Sequence, residues 1–236
     1  MKKRLIIMIP LIAFSFLMCN QSETEESNSE TLKFASDDNF KRYGFETGIV
    51  EYEFSGKTQT GTEKLYFINW GMLEAKYLDI EVGIAGFMQK QKTMTLLKGD
   101  STYSYDYHTG RLSRIKTPMW DGMKKHAKDG DLEEVGMQFI KQMNGKKVGN
   151  ETIAGKPCEI WDVPQMLSRI WLWKGIPLKT EAGPQELRII QTAIKVEMNA
   201  NVPGEKFEIP DDVEPQEAMD LQNLEQLMEK FKAPKK

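Results

Sequence analysis

Residues 145–182, GKKVGNETIAGKPCEIWDVPQMLSRIWLWKGIPLKTEA, constrain the fold more than any other stretch. They hold three of the five tryptophans, and turn signals divide them into four short strands in a meander. Ala154-Gly155 makes the first reversal, residues 162–166 a longer loop, and Lys174-Gly175 a tight one. Between the last two, Arg169-Ile170-Trp171-Leu172-Trp173 carries apolar side chains at consecutive positions, so both faces of its pleat meet something other than water. The strand is therefore sandwiched in a core, or its second face lines a cavity. The pattern allows both.

The same period of two runs through the rest of the chain. Val50, Tyr52 and Phe54 alternate with Glu51 and Glu53 over 48–56, a half-buried strand. Residues 63–70 are apolar on both faces, and 72–82 continue the meander. Residues 92–98 and 101–107 read as a hairpin joined at Gly99-Asp100, followed by 112–115. Tyr103, Tyr105 and Tyr107 share one face there, either an aromatic wall or ordinary strand packing. The longest strand, 186–199, puts Ile190, Thr192, Ile194, Val196 and Met198 together. Leu187 and Ile189 fall on the opposite phase, which predicts a bulge or a strong bend near Ile190. Residues 207–210 then end the sheet.

Helical spacing is rarer. Ser36-Asp37-Asp38 offers a cap for a short helix through Phe40 and Tyr43, stopped by Gly44. Residues 118–128 carry a weak helical pattern. The pattern over 131–143 is stronger, because Asp131 caps, Glu134 follows three residues on, and Asn144-Gly145 stops it. Leu132, Val135, Phe139 and Met143 recur on one stripe, with Ile140 beside them, and that stripe must be covered. The concave side of the sheet is the economical place. Pro215 opens a C-terminal amphipathic helix whose stripe is Leu221, Leu224, Met228 and Phe231.

The first 18 residues read as a targeting segment. Lys2, Lys3 and Arg4 precede an apolar run over 5–18 that is short of the about 20 residues a membrane span needs. Cys19 closes the run, and Asn20-Gln21-Ser22 follows, a pattern that resembles a bacterial lipoprotein signal in which the cysteine becomes the acylated first residue. Phe16-Leu17-Met18 departs from the small residue such signals place before the cysteine. Residues 19–35 are then the acylated Cys19 and a flexible polar tether, 36–213 the folded domain, and 214–236 the C-terminal helix and tail. With Cys19 acylated, Cys158 has no partner for an internal disulfide and reads as a small core residue. The net charge is −3, and −6 once the three leading cations are removed. Such a surface disfavours nucleic acid.

Chemistry-bearing constellations are sparse. His108 and His126 have no second ligand at metal spacing, and neither a phosphate-binding glycine loop nor a G-x-S-x-G elbow occurs. No cofactor and no catalytic set is expected.

The spaced residues of the second half carry a family resemblance. Gly149, Gly155-Lys156, Cys158, Trp161 and Val163 are followed by Ile170-Trp171-Leu172-Trp173, then Gly175, Pro177-Leu178-Lys179, Val196, Asn199, Phe207 and Ile209-Pro210. This order resembles the LolA/LolB-like lipoprotein-sorting and envelope lipoproteins, and residues 48–56 and 64–71 fit the first half more loosely. The resemblance implies an α+β fold, a curved antiparallel β half-barrel with helices on its concave face and an apolar cavity between them. On that basis the cavity-lining candidates are Trp70, Tyr103, Tyr105, Val135, Phe139, Trp171, Trp173, Ile194 and Val196. The implied role is a cell-envelope lipoprotein, at the outer membrane facing the periplasm. It would be a monomer that holds an acyl chain, a lipid or a lipidated partner. The alternative is a non-enzymatic scaffold whose core is filled.

Overall fold

The computed structural model describes residues 40–84, 87–116, 120–210 and 213–217. The targeting segment, Cys19, the tether and the C-terminal stripe lie outside them. The body is one open sheet. Its strands are β1 (Gly48–Gly56), β2 (Gln59–Ile68), β3 (Leu73–Ile84), β4 (Phe87–Lys98), β5 (Ser101–Asp106), β6 (Arg111–Lys116), β7 (Lys146–Ile153), β8 (Lys156–Val163), β9 (Ser168–Trp173), β10 (Ile176–Ala182) and β11 (Ile189–Met198). These pair antiparallel in the order 6-5-4-3-2-1-11-10-9-8-7, so two meanders meet where β1 joins β11. A short β12 (Gln216–Glu217) lies parallel to β6. Two helices, α1 (Trp120–His126) and α2 (Leu132–Gln142), separate the meanders in the chain.

The sheet is strongly bent. Four strand spacings separate β11 from β7, about 19 Å if flat, yet their Cα atoms come within 8 Å. Tight reversals feed this curvature. Ala154-Gly155 and Lys174-Gly175 both take positive φ at two successive residues (47° and 75°, 49° and 78°), the geometry that matches strand twist.

Cross-strand register fixes the two faces of the first meander. Val50 and Tyr52 of β1 stand beside Leu65 and Glu63 of β2, and these beside Lys76 and Leu78 of β3. The opposite face carries Leu73, Ala75 and Tyr77 with Met94, Leu96, Tyr103, Tyr105 and Leu112. The largest buried cluster gathers Val50, Leu65, Phe67, Ile176 and Leu178, none more than 1% exposed, with Tyr43 and Trp171. Residues Val202, Phe207 and Ile209 cover the face of Leu73, Ala75, Met94 and Leu96. α2 lays Met137 and Ile140 on Trp161, Val163 and Ile170, positions that alternate with Cys158, Ile160 and Trp171 of the largest cluster. The Asp131 carboxylate caps it by accepting from the Glu134 amide at 3.0 Å.

Three local expectations are corrected. Residues 42–47 bend rather than coil, because the Lys41 backbone bonds to Gly130 and Leu132 at the entrance of α2 (2.8 and 2.9 Å) and is unavailable for a helical turn. The bulge in β11 falls at Ile194 rather than near Ile190. Tyr52 pairs Ala193 while Glu51 pairs Lys195, so one residue is left over and Ile194 turns 52% exposed. Gln216 and Glu217 extend along β6 instead of starting a helix, since the edge of β6 offers unpaired backbone groups.

Candidate functional site

The surface of β1–β4 carries two features on opposite faces. On the first face, Leu78, Ile80 and Val82 form a stripe along β3 that is 4–8% exposed, and Phe54 of β1 packs with it. The sequence Leu-Asp-Ile-Glu-Val over 78–82 gives this stripe by simple alternation, with Asp79 and Glu81 on the other face. Gly61 of β2 stands opposite Ile80, where a Cβ would strike the Asp79 carbonyl.

Toward the near end of the same face the chemistry turns ionic. Glu74 is 4% exposed and receives three partners. Lys76 Nζ lies 3.0 Å from Oε1, Arg42 Nη1 lies 3.5 Å from Oε2, and the Tyr43 hydroxyl donates to the same carboxylate. Burial alone would raise the Glu74 carboxyl, but Lys76, Arg42 and the Tyr43 hydroxyl together hold it down at about 2. The Tyr43 phenol is pushed up by burial and by the Glu74 charge. Glu63 accepts from Gln191 Nε2 at 2.8 Å, and burial pushes its carboxyl above the usual range. This cluster joins the N-terminal segment to the sheet. Its anion is fully paired, which suits anchoring rather than proton transfer.

On the second face lies a cleft of about 420 Å³ lined by Glu51, Lys64, Tyr66, Tyr77, Asp79 and Lys92, with Tyr107 and Ile194 at its rim. It is polar. Lys64 pairs Glu51 at 3.0 Å, and Tyr66 and Tyr77 meet edge to face at 5.8 Å. The Tyr77 hydroxyl donates to the Lys206 carbonyl at 2.9 Å. Burial, Tyr107 and Tyr66 push its phenol up to about 12.

The candidates named from sequence are divided among several packing groups. Trp171, Trp173 and Val196 belong to the largest cluster, Tyr103 and Tyr105 to the group under Phe207, and Val135 to a group with Met72, Trp120 and Leu132. Phe139 is half-buried on α2. Trp70 leaves the strand for a 3₁₀ turn with φ 56°, and Lys41 Nζ stands 4.0 Å above its ring. Ile194 lines the cleft on the second face. Trp171 donates its indole N–H to Glu151 at 2.6 Å, which fixes its orientation. Leu78, Ile80 and Val82 were not singled out from sequence, and Phe54 was read only as part of a half-buried strand, because an alternating strand looks the same whether a core or a ligand covers it. Cys158 is a free thiol 1% exposed, and burial raises its pKa. His108 and His126 are exposed, and no group of three metal-ligating side chains occurs among the described residues.

No family model matches the chain, and no curated protein sequence matches it. Solved structures do. An uncharacterized conserved protein from Thermus thermophilus aligns at 10% identity and TM-score 0.44, over 73% of this chain and 91% of that one. The MucA/MucB complex of Pseudomonas aeruginosa aligns at 12% identity and TM-score 0.41, over 73% of this chain and 59% of that one. A putative outer membrane lipoprotein-sorting protein domain from Vibrio parahaemolyticus aligns at 12% identity and TM-score 0.27, over 70% and 91%. These scores are too low to bear on what this chain binds.

Proposed function

We propose that this protein is a non-enzymatic lipoprotein of the bacterial cell envelope, tethered through acylated Cys19, whose bent sheet holds an acyl chain, a lipid or a lipidated partner. The observation that carries the reading is the stripe of Phe54, Leu78, Ile80 and Val82, an apolar track along one face of a single bent sheet. A hydrocarbon laid there gains ~0.8 kcal/mol for each methylene removed from water. The export signal ending at Cys19 and the sequence resemblance to LolA/LolB-like proteins support the compartment, which we read as the outer membrane facing the periplasm. The ionic Lys76–Glu74 pair follows Leu78 on the same face, so charge stands at one end of the apolar track. An amphiphile is the class of ligand that matches such an asymmetry.

A second reading has its own support. The remaining clusters interlock side chain to side chain, α2 onto Trp161, Val163 and Ile170 included, which suits a scaffold with a filled interior acting through its surface. Mass spectrometry of organic extracts from the membrane-purified protein, with uptake of a fluorescent fatty acid, separates the two. Stoichiometric lipid, and uptake abolished by Ile80→Asp, are expected. Neither lipid nor uptake would leave the scaffold reading.

A further inference from the structure

The cleft on the second face is a trough built by strand register. Two rows of side chains stand on that face, Glu51, Lys64 and Tyr77 in one, and Thr62, Asp79 and Lys92 in the other. The rows are two positions apart along each strand, so the walls stand about 7 Å apart. The floor between them is the backbone of Tyr52, Glu63, Leu78 and Thr93, whose side chains belong to the opposite face. Both ends are apolar. The bulge in β11 turns Ile194 out at one end, 52% exposed, and Tyr107 stands 44% exposed at the other.

Polar groups on the walls are left open. Asp79 and Lys92 are direct cross-strand partners, yet among the described residues the Asp79 carboxylate has neither an ion pair nor a hydrogen bond. Lys92 Nζ leans the other way, 5.7 Å from the centre of the Tyr107 ring. Lys64 closes on Glu51 at 3.0 Å. The two carboxylates of the walls, Glu51 and Asp79, and the two ammonium groups, Lys64 and Lys92, therefore cancel. This set selects among ligand classes. A polyanion gains nothing from a site whose charges cancel. A hydrocarbon would strip water from Asp79 and Lys92 and return no hydrogen bond. An extended peptide would find no backbone to pair with, because β1, β2, β3 and β4 are each paired on both sides. A neutral sugar satisfies every wall at once. Its C–H faces cover Tyr107 and Ile194, adjacent hydroxyls donate to the Asp79 carboxylate, and its oxygens accept from Lys92 and Lys64. The volume of about 420 Å³ lies within the about 300–1,000 Å³ that small-molecule sites occupy.

We infer that the trough across β1–β4 binds a neutral saccharide, with Asp79 and Lys92 reading its hydroxyls and Tyr107 and Ile194 packing against its C–H faces. The trough lies on the opposite face of the sheet from the track of Leu78, Ile80 and Val82. The inference therefore stands apart from the lipid reading, and each site can be tested without the other.

The test is binding of the full chain to an array carrying neutral oligosaccharides, the same oligosaccharides sulfated, and tetrapeptides, followed by titration calorimetry with the strongest neutral responder. Binding to neutral oligosaccharides is expected, weakened at least about tenfold by Asp79→Ala and by Tyr107→Ala. Lys90→Ala, on β4 outside the trough, should leave it unchanged. Asp79, Tyr107 and Lys92 are all exposed, so thermal unfolding of each variant should match the parent, and Lys92→Ala replaces either variant that does not fold. No binding to neutral oligosaccharides overturns the proposal. So does binding confined to sulfated sugars or to peptides, or an affinity that Asp79→Ala and Tyr107→Ala leave unmoved. Displacement of the sugar by a fatty acid overturns it too, by placing lipid in the trough. Fatty-acid uptake that fails while sugar binding holds removes the lipid reading alone.

Discussion

Glu74→Gln tests the logic of the buried ion cluster. The carboxyl is held at about 2, against an ordinary 4.5, by Lys76, Arg42 and the Tyr43 hydroxyl acting against burial. A folded value below the unfolded one means the charged group stabilises the fold above the unfolded value, and that contribution fades as pH falls toward 2. The interval corresponds to roughly 3 kcal/mol at neutral pH. Lys76 and Arg42 are 30% and 27% exposed, so water takes up part of what they lose, and a cost of about 2 kcal/mol is the realistic expectation. The assay is urea unfolding of both chains from pH 2 to 7. Carboxylates remote from the cluster titrate alike in the two chains, and repeating the comparison in a Glu63→Gln background removes the one neighbour whose carboxyl Glu74 pushes up. The stability difference should be largest near neutral pH and shrink below pH 4. A difference that stays constant across the range, or one under about 0.5 kcal/mol at pH 7, refutes the reasoning.

Other substitutions probe separate parts of the fold. Glu63→Gln should leave neutral-pH stability unchanged or higher, because its raised carboxyl stabilises the folded state at low pH and that stability is lost as pH rises through the folded value; calorimetry at pH 7 against pH 4 reads this. Phe67→Ala removes a fully buried ring and should cost about 3–5 kcal/mol in denaturant unfolding. Gly175→Ala combines a φ of 78° with a Cβ that would meet the Arg42 carbonyl, so a cost above about 1 kcal/mol and a looser N-terminal segment by hydrogen exchange are expected. Asp131→Ala removes the cap of α2 and should cost about 1 kcal/mol in the same denaturant assay.

Much of the strand pattern was legible in advance because alternation and turn chemistry are local. Val50-Tyr52-Phe54, the reversals at Ala154-Gly155 and Lys174-Gly175, and the cap at Asp131 all formed where the residue types demanded. The misses share a cause. Residues 42–47 and Gln216-Glu217 took conformations set by backbone groups far away in sequence, at Gly130 and on β6, which no local propensity reports. The bulge at Ile194 belongs to the register between β11 and β1, not to β11 alone. Glu74 gave no sign of burial, because nothing in an alternating strand announces that an arginine, a lysine and a tyrosine converge on one carboxylate.

By itself, the sequence determined a β-rich chain with one strongly capped helix and strands too apolar to be wetted on both sides. Periodicity and turn residues act within a few positions and need no partner. Tertiary structure decided which strands pair across the middle, where Glu74 is neutralised, and that Leu78, Ile80 and Val82 form a buried track. Those outcomes depend on side chains brought together by the bend of the sheet, and a bend is a property of many strands at once.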